Sequence, residues 1–230
     1  MKILTLSDTH SKAHQMPLGW LDNKDGEISM IIHAGDISSR GYKQEIIEFL
    51  DWYSKLPFSY KIFTPGNHDF FFEKAKEEEI KELLALYPNV TYLNDSGCEI
   101  EGIKIWGSPI SPFFFDWAFN RYRGKDIQKH WDLIPHDINI LCTHTPVYGL
   151  CDMTPSGEFV GCEDLLNTVV TKLNDCMLHI CGHIHSAHGF AYKHGKTFIN
   201  TSILNERYMV AYKPIIIEFN KEKKEARIIE

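Results

Sequence analysis

The chain is poor in the features that mark specialised protein classes. Its six cysteines (Cys98, Cys142, Cys151, Cys162, Cys176 and Cys181) contain no CxxC pair, which argues against a paired-thiolate redox or zinc motif. A chain of 230 residues is long enough to bury a sizeable core without covalent staples. The cysteines therefore read as free thiols, and Cys142 and Cys181, inside apolar runs, as small hydrophobes. No stretch approaches the ~18 uninterrupted apolar residues of a membrane span. The apolar run in MKILTLSDTH carries one Lys and is ended by Asp8, short of the length of a secretory signal. These absences predict a soluble, unexported, cytoplasmic protein. Positive charge is also scarce: 24 Lys plus Arg stand against 31 Asp plus Glu, a formal charge of −7. That is the reverse of the basic stripe expected of a domain that tracks nucleic-acid backbone, although the sum leaves room for one basic groove. There is no internal repeat, low-complexity tract or linker, and the length points to one domain over residues 1–230. The 12 histidines are the exception to this plainness, more than packing needs.

Short apolar runs alternate with helical patterns. Lys2–Leu6, Met30–His33, Tyr60–Phe63, Ile138–Cys142, Met177–Cys181 and Thr197–Ile199 read as strands. Ile46, Ile47, Phe49, Leu50 and Tyr53 share one helical face, as do Ile80, Leu83, Leu84 and Tyr87, and Leu165, Leu166, Val169, Val170 and Leu173. The charged run Glu73 to Glu82 reads as a solvated helix face. Two later segments look like antiparallel hairpins: Cys98–Glu101 with Lys104–Trp106 around Gly102, and Ile215–Phe219 with Ala226–Ile229. Gly35, Gly66 and Gly182 stand where a strand would turn out of its sheet. Runs buried on both faces and separated by amphipathic helices predict α/β layers rather than an all-β barrel.

In α/β sheets, ligands collect beyond the carboxyl ends of strands, and here the residues just past each predicted strand are of metal-ligand type. Asp8 and His10 follow the first, Asp36 the second, Asn67, His68 and Asp69 the third, His144 the next, and His183 and His185 the fifth. Each cluster alone is weak, since a lone His after a strand is more often a hydrogen-bonded structural residue than a ligand. Convergence of all five on one rim is what makes the pattern specific. Carboxylate, amide and imidazole ligands without thiolate suit borderline divalent metals such as Mn, Fe, Co, Ni or Zn. Even seven ligands drawn from these nine residues are too many for one ion, and a pair ~3.5 to 4 Å apart sharing a carboxylate fits them better.

The ordered set DTH, GD, GNHD, H and GHIH, from Asp8 to His185, resembles the calcineurin-like metallophosphoesterase superfamily. WGSPISP (Trp106 to Pro112), FNRYRG (Phe119 to Gly124), THTPVYG (Thr143 to Gly149), VGCEDLL (Val160 to Leu166) and NERY (Asn205 to Tyr208) resemble its metallophosphoesterase-domain-containing (MPPED, 239-type) branch and bacterial relatives. The resemblance implies a four-layer α/β/β/α fold, a layered β-sandwich flanked by helices. It also implies two divalent ions, Mn foremost, with Fe, Zn, Ni, Co or Mg as alternatives. One would be held by Asp8, His10 and His185, the other by Asn67, His144 and His183, with Asp36 bridging. Some relatives in this branch carry Gly in place of the first His of GHxH; this sequence keeps His183, which points to a working hydrolase.

By the same pattern His68 is the catalytic group that protonates the leaving oxygen or bonds the phosphoryl, and Asp69 is expected to hold its ring through Nδ1. Asn67, His68, Asn120, Arg123 and Ser202 are the expected substrate contacts. The segment from Ser111 to Arg123, with Phe113, Phe114, Phe115, Trp117, Phe119 and Tyr122, is either a lid that stacks a base or a core-packing segment. Of the other histidines, His14, His130, His136 and His194 read as solvent-facing, His179 as a hydrogen-bonded core residue, and His33 and His188 as neighbours of the ligands. The expected reaction is hydrolysis of a phosphodiester, a small nucleotide ester such as a cyclic nucleotide or an aryl diester, by attack of metal-activated hydroxide. A phosphomonoesterase or protein phosphatase, a nuclease, and a nucleotide-binding regulator without turnover remain the alternatives.

Overall fold

The structure of the protein is a computed structural model, which describes residues 1–17, 19–23 and 25–229. In chain order its strands are β1 (Lys2–Leu6), β2 (Ile28–Ala34), β3 (Tyr60–Thr64), β4 (Val90–Tyr92), β5 (Ser96–Ile100), β6 (Ile103–Ser108), β7 (Ser111–Pro112), β8 (Asn120–Arg121), β9 (Ile140–Thr143), β10 (Leu178–Cys181), β11 (Gly189–Lys193), β12 (Lys196–Asn200), β13 (Ile215–Asn220) and β14 (Glu225–Ile228). The helices are α1 (Lys43–Tyr53), α2 (Phe70–Lys74), α3 (Glu77–Leu84), α4 (Lys125–Leu133) and α5 (Glu163–Thr171). Two six-stranded sheets run β14-β13-β1-β2-β3-β4 and β11-β12-β10-β9-β6-β5, and β7 pairs with β8 apart from them.

The alternation of side chains along each strand builds the layers. Ile3, Met30, Ile32 and Ile62 of the first sheet meet Ile105, Ile140, Cys142, Leu178, Ile180 and Ile199 of the second in one buried cluster, the core between the sheets. The residues in alternate register, Leu4, Ile31 and Phe63 on one sheet and Leu141 and Phe198 on the other, turn outward to the helices. There Ile46, Phe49, Leu50 and Tyr53 of α1 cover the first sheet, and Ile127 and Trp131 of α4 with Leu165 and Val169 of α5 cover the second. Tyr53 fixes α1 to the sheet by donating its hydroxyl to the carbonyls of Ile31 and Ile62. The result is an α/β/β/α sandwich. The six cysteines are unpaired, and among the described residues no helix is long and apolar enough to cross a membrane.

Several elements carry no clear sequence signal: β4, the β7/β8 pair, β11 and α4. The charged run Glu73 to Glu82 is not one helix. α2 ends at Lys74, Ala75 is extended, and α3 begins at Glu77. Glu73, rather than simply facing solvent, accepts a hydrogen bond from the Phe119 amide at 2.8 Å and lies 3.7 Å from the Arg121 guanidinium. His130, expected to face solvent, is half-buried: its Nδ1 donates to Asp95 at 2.6 Å, and its Nε2 accepts from Arg121 Nε. Asp95 lies 35 residues away and is brought there by the turn between β4 and β5, a long-range pairing that local polarity does not register.

Strand direction positions the site. β1, β2, β3 and β4 are mutually parallel, as are β6, β9, β10 and β12. A bridge between Ser7 and Ser202, with the Ser7 amide donating to Thr201 at 3.0 Å, ties the carboxyl end of β1 to that of β12. The loops leaving both sheets therefore meet on one rim.

Candidate metal centre and active site

The rim loops lie close enough to share hydrogen bonds. The amides of Asp8 and His10 donate to the carbonyls of Gly35 and Asp36 at 2.9 and 3.0 Å, and the Gly182 amide donates to His144 at 3.0 Å. Two glycines permit this approach. A Cβ on Gly66 would stand 2.3 Å from the Asp36 carboxylate, and one on Gly182 would stand 2.3 Å from that of Asp8. The turns are strained as well as tight. Asp8, His10, Asp36 and His183 all have positive φ, between 40° and 69°, a conformation that costs a non-glycine residue ~1 to 2 kcal/mol. Four such residues in one cluster mark a site where side-chain direction outweighs backbone comfort.

Each buried carboxylate is anchored through backbone or hydroxyl donors and faces imidazoles. Asp36 Oδ1 accepts from the His68 amide at 2.8 Å, while Oδ2 lies 3.5 Å from His10 Nε2, 3.4 Å from His144 Nε2 and 4.0 Å from His68 Nε2. Asp8 accepts from the His183 amide and the Ser7 hydroxyl, and its Oδ1 stands 3.4 Å from His185 Nε2. His10 and His185 approach Nε2 to Nε2 at 3.3 Å, and Asn67 Oδ1 lies 2.9 Å from His144 Nε2. His144 and His185 place their Nδ1 atoms on the carbonyls of Ala34 (2.9 Å) and Asn205 (3.1 Å). A carbonyl only accepts, so each Nδ1 carries a hydrogen and each Nε2 is the nitrogen turned inward, the arrangement that orients metal-bound imidazoles.

Burial penalises charge throughout this cluster, and the carboxylates compete with it. Burial pushes His10 down to about 4 and His183 to about 3. It acts the same way on His144 and His185, but Asp36 and Asp8 respectively outweigh it and hold each at about 9. For Asp8 and Asp36 burial works against ionisation, and the facing imidazoles overcome it and keep both carboxyls below the usual range. The donor set fits divalent metal on this structure's own evidence. Asp8, His10 and His185 form one group whose ligand atoms lie within 4.8 Å of one another; Asp36, His144 and His183 form a second, and His10, Asp36 and His68 a third.

The other expected residues fall unevenly. His68 faces the centre, but its Nδ1 donates to the Ser39 carbonyl at 2.9 Å, not to Asp69. Asp69 instead accepts from the amides of Ile37, Ser38 and Gly66 and from the Ser38 hydroxyl. It is buried and ties the loop after β2 to the turn after β3, while the Ser39 carbonyl takes the Nδ1 hydrogen of His68. Asn120 gives its amide to the carbonyls of Phe114 and Phe115, and Ser202 gives its hydroxyl to Leu204. Both are occupied in holding their own loops, and neither lines the cavity. Arg123 does line it, with its guanidinium fixed on the carbonyls of Gly161 and Val160 at 2.8 and 2.9 Å. Of the two nearby histidines, His33 reaches Thr9 Oγ1 at 3.0 Å, and His188 donates to the Ser202 carbonyl at 2.8 Å and stacks on Tyr212.

The aromatic segment is part cavity wall and part core. Phe119 is buried, whereas Phe113, Phe114 and Phe115 are exposed and, with Trp117, wall a cavity of about 660 Å³ that reaches Asp36, Asn67, His68, His183 and His185. Trp117 stacks on the His68 ring, 4.1 Å between centroids at 27°. Thr154, Glu158, Phe159 and Tyr208, which also line the cavity, are absent from the expected site residues. They lie on loops, where no periodicity marks a side chain's direction; only the NERY match touched Tyr208.

The pattern of the family described as Calcineurin-like phosphoesterase matches residues 1–187. The chain is 34% identical over 239 residues to metallophosphoesterase domain-containing protein 1 of Homo sapiens, covering 94% of this chain and 70% of that protein. It is also 34% identical over 233 residues to UPF0046 protein C25E10.12 of Caenorhabditis elegans, covering 95% and 80%. Among solved structures, TT1561 of Thermus thermophilus shares the fold with a TM-score of 0.63 at 13% identity, covering 99% of this chain and 97% of that one. The family match, on a two-sheet sandwich with a rim of Asp, Asn and His, places the chain among the metal-dependent phosphoesterases. The chain belongs to the calcineurin-like metallophosphoesterase family, whose activity is metal-dependent hydrolysis of phosphoesters, and it is similar within that family to the metallophosphoesterase domain-containing and UPF0046 proteins.

Proposed function

We propose that this protein is a di-metal phosphodiesterase acting on small nucleotide esters, cyclic nucleotides included, and on aryl phosphodiesters, in the cytoplasm and with manganese as a working metal. The observation that carries the diester reading is the cavity of about 660 Å³ beside the metal-ligand rim. A phosphomonoester has one organic arm to place beside its phosphoryl group. A diester has a second arm to place, and exposed Phe113, Phe114 and Phe115 with Trp117 offer a flat one a stacking surface.

In this reading Asp8, His10 and His185 hold one ion, Asn67, His144 and His183 the other, and Asp36 serves both. Oδ2 of Asp36, with His10 on one side and His144 on the other at nearly equal distance, supports the shared role. Bound there, two divalent ions supply positive charge for the phosphoryl oxygens and acidify water. The chain's own residues do the rest. Asn67 and His68 border the space where the phosphoryl group would sit. His68 has Nδ1 committed to the Ser39 carbonyl, so the proton it passes to the leaving oxygen is carried at Nε2, and the Trp117 stack holds the ring plane. Arg123, tied to two carbonyls, presents a fixed positive charge to an anionic arm.

The test is hydrolysis of paired aryl phosphomonoesters and phosphodiesters, and of 2′,3′- and 3′,5′-cyclic nucleotides, by manganese-reconstituted protein. The diesters are expected to show the higher kcat/KM. Preference for the monoester would overturn the diester assignment, and failure on every substrate would overturn the hydrolase.

A further inference from the structure

Tyr208 sits on the connection between β12 and β13, far in sequence from every proposed ligand except His183 and His185, yet its ring meets three of the site's imidazoles. The centroid lies 4.9 Å from that of His10 at 73°, 5.1 Å from His185 at 73°, and 6.4 Å from His68 at 60°. The ring packs edge-on against His10 and His185 and lines the same cavity as Trp117. Some 40% of the residue is exposed, and among the described residues its hydroxyl has no hydrogen-bond partner.

The loop is built to hold this one side chain. Tyr208 has a φ of 56°, which costs a bulky residue of the order of 1 to 3 kcal/mol and recurs where a side chain must be aimed. Asn205 secures the turn: its side-chain oxygen accepts from the amides of Arg207 and Met209, its carbonyl accepts from the Tyr208 amide at 2.8 Å, and its own amide donates to Met209 at 2.9 Å. The same Asn205 carbonyl accepts Nδ1 of His185, so the turn that aims Tyr208 also orients a proposed ligand. From the other side Lys12, two residues past His10, donates to the Tyr208 carbonyl at 2.6 Å with its ammonium 5.7 Å from the ring centroid. The loop is thus pinned to both His-bearing turns.

A ring so fixed, bearing a hydroxyl that none of the described residues uses, is a donor awaiting an acceptor. We propose that Tyr208 is a substrate-positioning residue whose hydroxyl donates a hydrogen bond to a non-bridging oxygen of the bound phosphoryl group. This rests on the phosphoesterase reading of the same site. It adds to the metals and His68 an uncharged donor in the cavity wall. Such a donor orients a diester monoanion without the surplus positive charge that would favour a monoester dianion.

The experiment uses the full chain reconstituted with manganese, with Tyr208→Phe and Tyr208→Leu as variants. Calorimetric binding of inorganic phosphate is measured beside hydrolysis of an aryl phosphodiester and metal content. Tyr208→Phe keeps the ring and the loop and removes only the hydroxyl, so metal content is expected to stay at two ions. Phosphate affinity and kcat/KM are expected to fall together by about 10- to 100-fold, the loss typical of a hydrogen bond to a charged group. Tyr208→Leu is expected to lose at least as much. Tyr208→Phe with unchanged phosphate affinity and unchanged kcat/KM would overturn the proposal while leaving the hydrolase intact. Weaker phosphate binding by Tyr208→Phe in a protein that hydrolyses no ester would uphold the contact and overturn the hydrolase instead. Loss of metal in Tyr208→Phe would make the residue a support for His10 and His185 and would also overturn the proposal.

Discussion

His10 and His185 point their Nε2 atoms at each other across 3.3 Å, inside a site that also buries Asp8 and Asp36. Two imidazole nitrogens at that distance either share a proton or share a cation. His185 has committed its Nδ1 hydrogen to Asn205, and burial holds His10 at about 4. A cation that displaces the proton Asp8 favours on His185 therefore meets two lone pairs at one point. A metal ion answers that geometry, and it answers the two buried carboxylates as well.

Asp36→Ala should therefore empty both sites rather than one, because Oδ2 is within reach of each imidazole group. Metal content after reconstitution is the measurement, expected to fall from two ions per chain to near none. Retention of close to two would remove Asp36 from the bridging position.

His68→Ala should keep its metals and lose rate by roughly 10² to 10⁴ on a diester with a poor leaving group, the usual contribution of a general acid. The loss should shrink as the leaving group becomes more acidic, since a good leaving group departs without a proton. A loss independent of leaving-group pKa, read from a series of aryl diesters, would deny His68 the acid's role.

Arg123→Ala should raise KM by about tenfold and change kcat less, the signature of a group that binds substrate equally in ground and transition states. Arg123→Lys, which keeps the charge but cannot span the carbonyls of Val160 and Gly161, should fall between. Wild-type kinetics in both would assign the guanidinium to loop closure alone.

His179 offers a stability test away from the centre. Thr143 gives its hydroxyl hydrogen to the Thr145 carbonyl, so His179 Nε2 must be the donor in the 2.7 Å contact with Thr143, and its Nδ1 is buried without a partner among the described residues. Burial pushes the ring down to about 3, below the ~6.5 of an unfolded histidine. The unfolded chain thus binds more protons between those values. The contribution of the neutral ring is full above pH ~6.5 and falls by about 1.4 kcal/mol per pH unit below it. The stability difference between wild type and His179→Gln, from urea unfolding at pH 4 to 7, should follow that slope. A pH-independent difference would place the titrating proton elsewhere.

The fold was legible where burial imposes a period. Lys2–Leu6 ends where predicted because Asp8 cannot continue a buried strand, and α1 was visible through Ile46, Phe49, Leu50 and Tyr53. Asp8, Asp36, Asn67, His144 and His183 were legible for a related reason: each follows directly on such a strand, so topology carries all five to one edge. What escaped depends on contacts made at a distance. Asp69 sits beside His68 in sequence but points down to Ser38 and Gly66, a direction that adjacency does not encode. Asn120 and Ser202 had suggestive positions and are turned to carbonyls of their own loops. Tyr208 lies on an aperiodic loop, and only its φ and its neighbours reveal its direction.

The proposed ligand set is divided between the two sheets, with Asp8, His10, Asp36 and Asn67 on loops of the first and His144, His183 and His185 on loops of the second. The Asp8 carboxylate and the His183 amide, 3.1 Å apart, are separated by 175 residues of chain. The site exists only when loops of both sheets have been brought together, and closing so long a loop carries an entropy cost that the pairing and packing of the sheets must offset. Metal uptake is accordingly a chemical stopwatch for the docking of one sheet on the other: a refolding chain with both sheets formed but misaligned has every ligand and no site.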